Sequence, residues 1–415
     1  MAAPGAPRSI LLTGSGRLCM AQAHPADPPG VISPWAMVVR DGRIAWVGAP
    51  ADAPREPEAD VREDLGPALV TPGLVDAHTH PVYAGDRSDE TAARLAGAPY
   101  TGGGILRTVT ATRATSDDEL RELVAERLRA QLAAGTTTVE AKSGYGLSSQ
   151  EELRALRIIR EVGATLPLRV VPTLLGAHAV PPEAASAAAW AETVASEMIP
   201  AAAAEGLAVF CDVFCDRGFF SPAEAELILR AARAHGLGVR MHAEQLARTG
   251  AAELAVRLGA VSVDHLEQLD PAGVAALSGS GVVATLLPAP ALVMRDRLPP
   301  ARALLDAGVA VALASDANAG TFGGWGQMPL VMGLGATALG MTADEALAAA
   351  TAGGAASLGL SADRGRLAAG FAADIVAWDA EHEGAFALRL GAVRPIRVWI
   401  GGEEVLGPDR TLAGG

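Results

Sequence analysis

Residues 70–90 read VTPGLVDAHTHPVYAGDRSDE and place His78 and His80 one residue apart at the end of an apolar run. On an extended chain, residues i and i+2 face the same side, so two imidazoles at that spacing can grip one metal ion from one direction. The chain has eight histidines, and five of them, His78, His80, His178, His242 and His265, fall at the carboxyl ends of strand-like runs. Asp316 ends another such run. Any one of these taken singly reads as a satisfied polar residue. Together, His78, His80, His242 and Asp316 read as a ligand set. Three imidazoles and one carboxylate suit Zn2+ or another divalent first-row metal, with a further position left for water. Water on such an ion has its pKa lowered to about 7, so the set is hydrolytic in character.

The remaining candidates for chemistry are weaker. His235 precedes Gly236 and reads as a helix C-terminal residue interacting with the helix dipole, while His24 and His382 read as surface residues of the flanks. Cys19, Cys211 and Cys215 form an odd set and read as small buried hydrophobes of a reduced cytoplasmic protein. Lys142 is the only lysine among 33 basic residues, which points to a position that needs a compact ammonium or a titratable amine.

The elements that must position these residues follow from hydrophobic pattern. Eight apolar runs, 74–80, 136–142, 168–178, 209–215, 238–244, 260–267, 282–288 and 309–317, are rich in Val, Leu and Ile, as buried parallel strands are. Helical patterns separate them. Ser116 with Glu119 and Ser148 with Glu151 have capping-box spacing ahead of apolar periodic segments. Eight βα units match an α/β fold of the (β/α)8 TIM-barrel type, whose chemistry gathers at the strands' carboxyl ends. A doubly wound open sheet is the structural alternative, but no Gly-rich dinucleotide turn follows the first strand.

The flanks differ. Residues 37–48 form two alternating runs around Asp41-Gly42, a hairpin signal, and the C-terminal runs AADIVAWD and IRVWIGGEEVL also read as strands. We expect residues 1–71 and 359–415 to pair into one small β-sandwich domain beside a barrel of residues 72–358. The 415-residue chain carries 33 basic and 47 acidic residues, a formal net charge of −14. That balance argues against a nucleic-acid or anionic-membrane partner. No run of about 18 apolar residues reads as a membrane span. The N-terminal stretch MAAPGAPRSILLTGSG lacks the apolar core of a signal peptide, so a cytoplasmic location is expected.

The motifs resemble those of the amidohydrolase superfamily, through Pro72-Gly73 with Asp76, His78 and His80, and within it those of the imidazolonepropionases. The narrower likeness rests on HTHPVYAGDRSDE, GGGILRTVTATRA, TTTVEAKSGYGL, LLGAHAVPPE, MHAEQL, VDHLEQL and SDANAG, in the family's order across nearly the whole chain. The resemblance implies hydrolysis of the cyclic amide 4-imidazolone-5-propanoate to N-formimidoyl-L-glutamate in histidine degradation. It implies one metal ion, Zn2+ or Fe2+/Fe3+, on His78, His80, His242 and Asp316, and catalytic roles for His265 and Asp316. It places the substrate's propionate on Arg87, assisted by Tyr100 and Tyr145, and the ring against His178 and Asn318, with Gln245, Gly320 and Thr321 nearby. Gln245 stands where some members carry a glutamate, so acid–base duty falls elsewhere. A purely structural Arg87 would be tied to Asp86 or Asp89 in a surface salt bridge.

Some amidohydrolases carboxylate a lysine to bridge two metals; the one-metal pattern instead makes Lys142 a supporting hydrogen-bond donor. Family members are often dimers, so a homodimer is possible. The rival readings are a sister amidohydrolase or deaminase for another small cyclic amide or amidine, and an inactive barrel serving as a binding protein.

Overall fold

In a computed structural model, residues 9–21, 30–54, 59–97 and 103–408 are described; His24 and Tyr100 lie outside them. Eight parallel strands pair in sequence order: β1 (Leu74–Asp76), β2 (Thr136–Lys142), β3 (Arg169–Ala177), β4 (Phe210–Cys215), β5 (Gly238–Ala243), β6 (Ser262–His265), β7 (Val283–Leu286) and β8 (Val311–Leu313). The sheet closes where the chain beyond β1 meets the chain beyond β8. Thr79 bridges Ala317 in parallel, His80 N–H donates to the Ala317 carbonyl (2.9 Å), and Asp316 N–H donates to the His78 carbonyl (3.0 Å). The (β/α)8 barrel read from the pattern is the observed fold.

Several strands end sooner than their apolar pattern. β1 stops at Asp76 rather than His80, and β8 covers Val311–Leu313 rather than 309–317. Side chains take over the pairing at this seam: the Asp76 carboxylate accepts from Ser315 N–H (2.9 Å), Ser315 Oγ (2.5 Å) and Gln131 Nε2 (2.8 Å). The two strands are thus tied by a buried carboxylate where the ladder ends, which leaves the following residues to turn toward the barrel mouth.

The helices begin where their caps predict. Ser116 Oγ accepts from Glu119 N–H and Ser148 Oγ from Glu151 N–H. Only the serine half of each box forms; the Glu151 carboxylate is instead paired with Arg154 (2.8 Å). Complete reciprocal boxes occur at Ser221 with Glu224 and Thr342 with Glu345. His235 caps the helix Pro222–Ala234, and all three cysteines are buried and free.

The flanks build two small sheets. Strands Ser9–Gly14, Trp35–Arg40, Arg43–Gly48 and Val61–Asp64 form the first, with the hairpin turning at Asp41 (φ 48°) and Gly42 (φ 78°). The second joins both ends of the chain: Ile375–Trp378 lies antiparallel between Val70–Pro72 and Pro395–Ile400. Leu12, Trp35, Ile44, Val70, Ile375 and Trp399 share one apolar cluster between these elements. Among the described residues, no helix is long and apolar enough to cross a membrane.

Gly73 is the single residue between the flank strand Val70–Pro72 and β1, and it packs on β2. A Cβ there would lie 2.1 Å from Thr137 Oγ1 and 2.8 Å from Thr137 Cβ. Thr is rotamerically stiff, so Gly73→Ala overpacks the joint and is expected to destabilise by about 1–3 kcal/mol. A lowered denaturant midpoint checks this, and an unchanged midpoint refutes it.

Candidate metal centre

The histidines of the barrel mouth converge although β1 ends before them. His78 and His80 leave β1, His242 lies in β5, His265 ends β6, and Asp316 follows β8. The Nε2 atoms of His78 and His80 are 3.2 Å apart. Asp316 Oδ1 is 3.3 Å from His80 Nε2 and 3.6 Å from His78 Nε2. The His78 and His242 rings lie 4.4 Å apart, and the His242 and His265 rings 5.3 Å. Two triads with mutually close ligand atoms overlap at His78: His78, His80 and Asp316, and His78, His242 and His265. The four expected ligands are therefore gathered, and His265 joins them at the same mouth.

Backbone conformation helps to aim these groups. Glu244 (φ 56°), His265 (φ 81°) and Asp316 (φ 48°) all occupy the left-handed region just where β5, β6 and β8 end. Such residues cost on the order of 1–3 kcal/mol each and cluster at functional sites.

The tautomers decide what the cluster can bind. His78 Nδ1–H donates to Asp264 Oδ2 (2.7 Å) and His242 Nδ1–H to Asp212 Oδ1 (3.0 Å). Each Nε2 is then a lone-pair donor, and His242 Nε2 is buried with no hydrogen-bond partner. Burial, reinforced by the nearby cations, holds the His78 pKa well below its ordinary value. Asp316 stays ionised: burial works against its charge, and His80 and its neighbouring imidazoles outweigh burial. Neutral imidazoles with inward lone pairs beside a carboxylate are the donor set of a divalent metal.

Charge points the same way. The Lys142 ammonium, fully buried, sits 2.8 Å from Glu140 and 2.9 Å from Asp212. Arg240, also fully buried, donates to Asp264 Oδ2 (2.9 Å) and to the Ala77 carbonyl (2.8 Å). Together with Asp316, these contact chains set four buried carboxylates against two cations, an excess of two negative charges that one divalent ion neutralises. Lys142 is kept charged, because Asp212 and Glu140 overcome the burial that opposes it. Its nitrogen is committed to two carboxylates.

His265 Nδ1 lies 3.3 Å from Glu267 Oε1. Burial opposes a charge on this ring, and the Glu267 carboxylate overcomes it, raising the pKa to about 9. The pocket that holds His80, His242, His265 and Asp316 is also lined by Arg87, Tyr145, His178, Gln245, Asn318 and Thr321. Arg87 is not a surface residue tied to Asp86 or Asp89. It is 4% exposed, and its Nε and one terminal nitrogen pair with Glu90 at 3.0 and 2.8 Å. Its guanidinium is held between Gly104 and Gly320: a Cβ at Gly320 would lie 2.2 Å from the guanidinium carbon.

Asn318 is fully engaged within its own loop. Its Oδ1 accepts from the N–H groups of Gly320 (2.7 Å) and Thr321 (2.8 Å), and its Nδ2 donates to the Asp316 carbonyl and Thr321 Oγ1, each at 2.6 Å. Thr321 Oγ1 faces Asp316 Oδ2 at 3.5 Å, which leaves Oδ1 toward the histidines. Sequence reasoning missed Asp212, Asp264, Arg240, Glu140 and Glu267. The available signal was a charge inside an otherwise apolar strand, as in VFCDVFC and GVRMHAE.

The amidohydrolase family pattern matches residues 69–405. The chain belongs to the amidohydrolase family. This amidohydrolase is 48% identical to a protein named imidazolonepropionase from Ralstonia nicotianae, over 89% of this chain and 92% of that protein. It is 45% identical to another of that name from Rhizorhabdus wittichii, over 90% and 95%. Solved structures share the fold at lower identity. A zinc-bound adenosine deaminase from Xanthomonas campestris has a TM-score of 0.73 at 21% identity, covering 99% of this chain and 96% of that one. A 5-methylcytosine deaminase from Klebsiella pneumoniae has a TM-score of 0.74 at 16% identity, covering 98% and 100%.

The Asp212 carboxylate orients His242 and partners Lys142, so Asp212→Asn should lower affinity for the metal by roughly 10- to 100-fold. Competition with a chelator measures this, and unchanged affinity in a folded variant would show that Asp212 does not prepare the site.

Proposed function

We infer that this amidohydrolase hydrolyses 4-imidazolone-5-propanoate, opening the cyclic amide at a C–N bond to give N-formimidoyl-L-glutamate in histidine degradation. The observation that carries this reading is the 48% identity to an imidazolonepropionase along 89% of the chain. The buried Arg87 in the wall of the histidine pocket supports it. A divalent metal, zinc or iron, held by His78, His80, His242 and Asp316, supplies Lewis acidity and acidifies water.

The side chains do the rest. Arg87, oriented by Glu90, receives the substrate's propionate with help from Tyr145 and Tyr100. A guanidinium fork matches a carboxylate, and each charge-assisted bond contributes about 1.5–3 kcal/mol. His178 and Gln245 meet the ring. Gly320 gives the Arg87 guanidinium room, Asn318 shapes the loop after β8, and Thr321 steadies Asp316. Asp316 takes a proton from the attacking water. His265, kept as an imidazolium by Glu267, donates a hydrogen bond to the ring carbonyl oxygen as negative charge develops there. When the C–N bond breaks, the proton on Asp316 passes to the departing nitrogen, and the former carbonyl carbon becomes the product's new carboxyl group, which loses its remaining proton to solvent as the carboxylate forms.

Turnover of imidazolone propionate, generated in situ from urocanate, tests the reading. Substrate loss with formiminoglutamate appearing is expected from metal-loaded protein; no turnover with metal bound would discard this substrate. Arg87→Ala should raise KM by roughly 10- to 150-fold, the equivalent of one charge-assisted bond. His265→Asn should lower kcat by roughly 100- to 10,000-fold with metal content retained. Full activity in that variant would remove His265 from the mechanism. Removal of the metal by a chelator should abolish turnover, and re-addition should restore it.

A further inference from the structure

The segment Ser143–Leu147 runs from β2 to the helix Ser149–Gly163 and carries Tyr145 into the pocket. It is pinned from behind by Glu152, which is fully buried in the first turns of that helix. Glu152 Oε2 accepts from Gly144 N–H (2.8 Å), and Oε1 accepts from the N–H groups of Gly146 (2.8 Å) and Leu147 (2.7 Å). Arg113 holds the other side of the same segment, donating to the carbonyls of Gly146 (2.7 Å) and Leu147 (2.8 Å). Gly144 (φ 112°) and Leu147 (φ 47°) sit in the left-handed region. A Cβ at Gly144 would lie 3.0 Å from His178 Nδ1. A buried carboxylate gathering three backbone donors imposes this conformation on the segment.

The pinned segment reaches substrate-facing groups in two ways. The Gly144 carbonyl, which can only accept, lies 2.9 Å from His178 Nδ1, so that nitrogen carries the proton and Nε2 is left as an acceptor. Tyr145 packs edge-on against His178, with ring centroids 5.1 Å apart, and His178 stacks on His80 at 5.1 Å.

We propose that Glu152 is a positioning residue for substrate recognition: by holding the N–H groups of Gly144, Gly146 and Leu147 it fixes His178 as a hydrogen-bond acceptor and sets Tyr145 beside it. This rests on the reading above that His178 meets the substrate ring. The ligand chemistry it selects is a ring that presents an N–H to the His178 imidazole. A ring nitrogen bearing a proton, as a cyclic amide has, fits; a ring with oxygen in that place meets lone pair against lone pair.

The test uses zinc-loaded protein labelled with 15N-histidine, with the His178 signals assigned by their loss in His178→Asn. In the unaltered protein His178 should show a protonated Nδ1 and an unprotonated Nε2. In Glu152→Gln, whose amide places donors against backbone N–H groups, that signature should shift toward a mixture of tautomers. KM should rise about tenfold with kcat within about twofold and zinc retained. Should Glu152→Gln fail to fold, Glu152→Asp, which keeps the charge on a shorter arm, is expected to show the same change to a smaller degree and decides the question. An unchanged His178 signature with unchanged KM in a folded variant overturns the proposal. A shifted His178 signature in protein that never turns over imidazolone propionate leaves Glu152 in its positioning role and overturns the substrate reading instead.

Discussion

The structure is organised around imidazole nitrogens that have no proton to offer inward. With Asp264 and Asp212 accepting hydrogen bonds from the Nδ1–H groups of His78 and His242, the opposite nitrogens present lone pairs, and His78 Nε2 lies 3.6 Å from Asp316 Oδ1. Lone pairs converging in a buried space repel unless a cation lies among them. That requirement explains why the carboxylates behind the histidines are themselves backed by Lys142 and Arg240. A bare carboxylate in those positions would be too costly to bury, and a protonated one would lose its hold on the imidazole tautomer.

How far this was legible in the sequence follows from where each signal resides. His78, His80, His242 and Asp316 stand out because polar residues at the ends of apolar runs break a simple pattern, and a parallel barrel sends all such ends to one mouth. Asp212, Asp264 and Arg240 carry equal weight in the site, yet they lie within strands, where a single charge among Val, Phe and Cys has no partner nearby in sequence. Their partners come from other strands of the barrel, some adjacent and some across it, and register is a property of the fold. Arg87 illustrates the same limit over a shorter distance. Asp86 and Asp89 are its near neighbours in the chain, but the helix Ser88–Leu95 begins just after it, and three residues along a helix brings Glu90 alongside.

The fold was legible to a similar degree. Eight apolar runs suffice to give the barrel, since buried parallel strands need little more than branched apolar residues on both faces. Their ends were read too long at β1 and β8 because the apolar pattern continues after the ladder gives way to side-chain ties around Asp76. The flanks read as strands that pair with one another, and Ile375–Trp378 does lie beside Val70–Pro72; the choice of that particular neighbour is encoded by no local pattern.

The seam between the first and last strands sets an order of events during synthesis. His78 and His80 emerge from the ribosome long before Asp316, and the hydrogen bonds that bring these residues together, Asp316 N–H to His78 and His80 N–H to Ala317, need both ends of the barrel. Until the last strand docks, the early histidines are half of a cradle with no opposite wall. An ion held by His78, His80 and Asp316, as proposed above, would bind only after that docking and would act as a clasp across a very long loop, whose closure entropy grows only slowly with length.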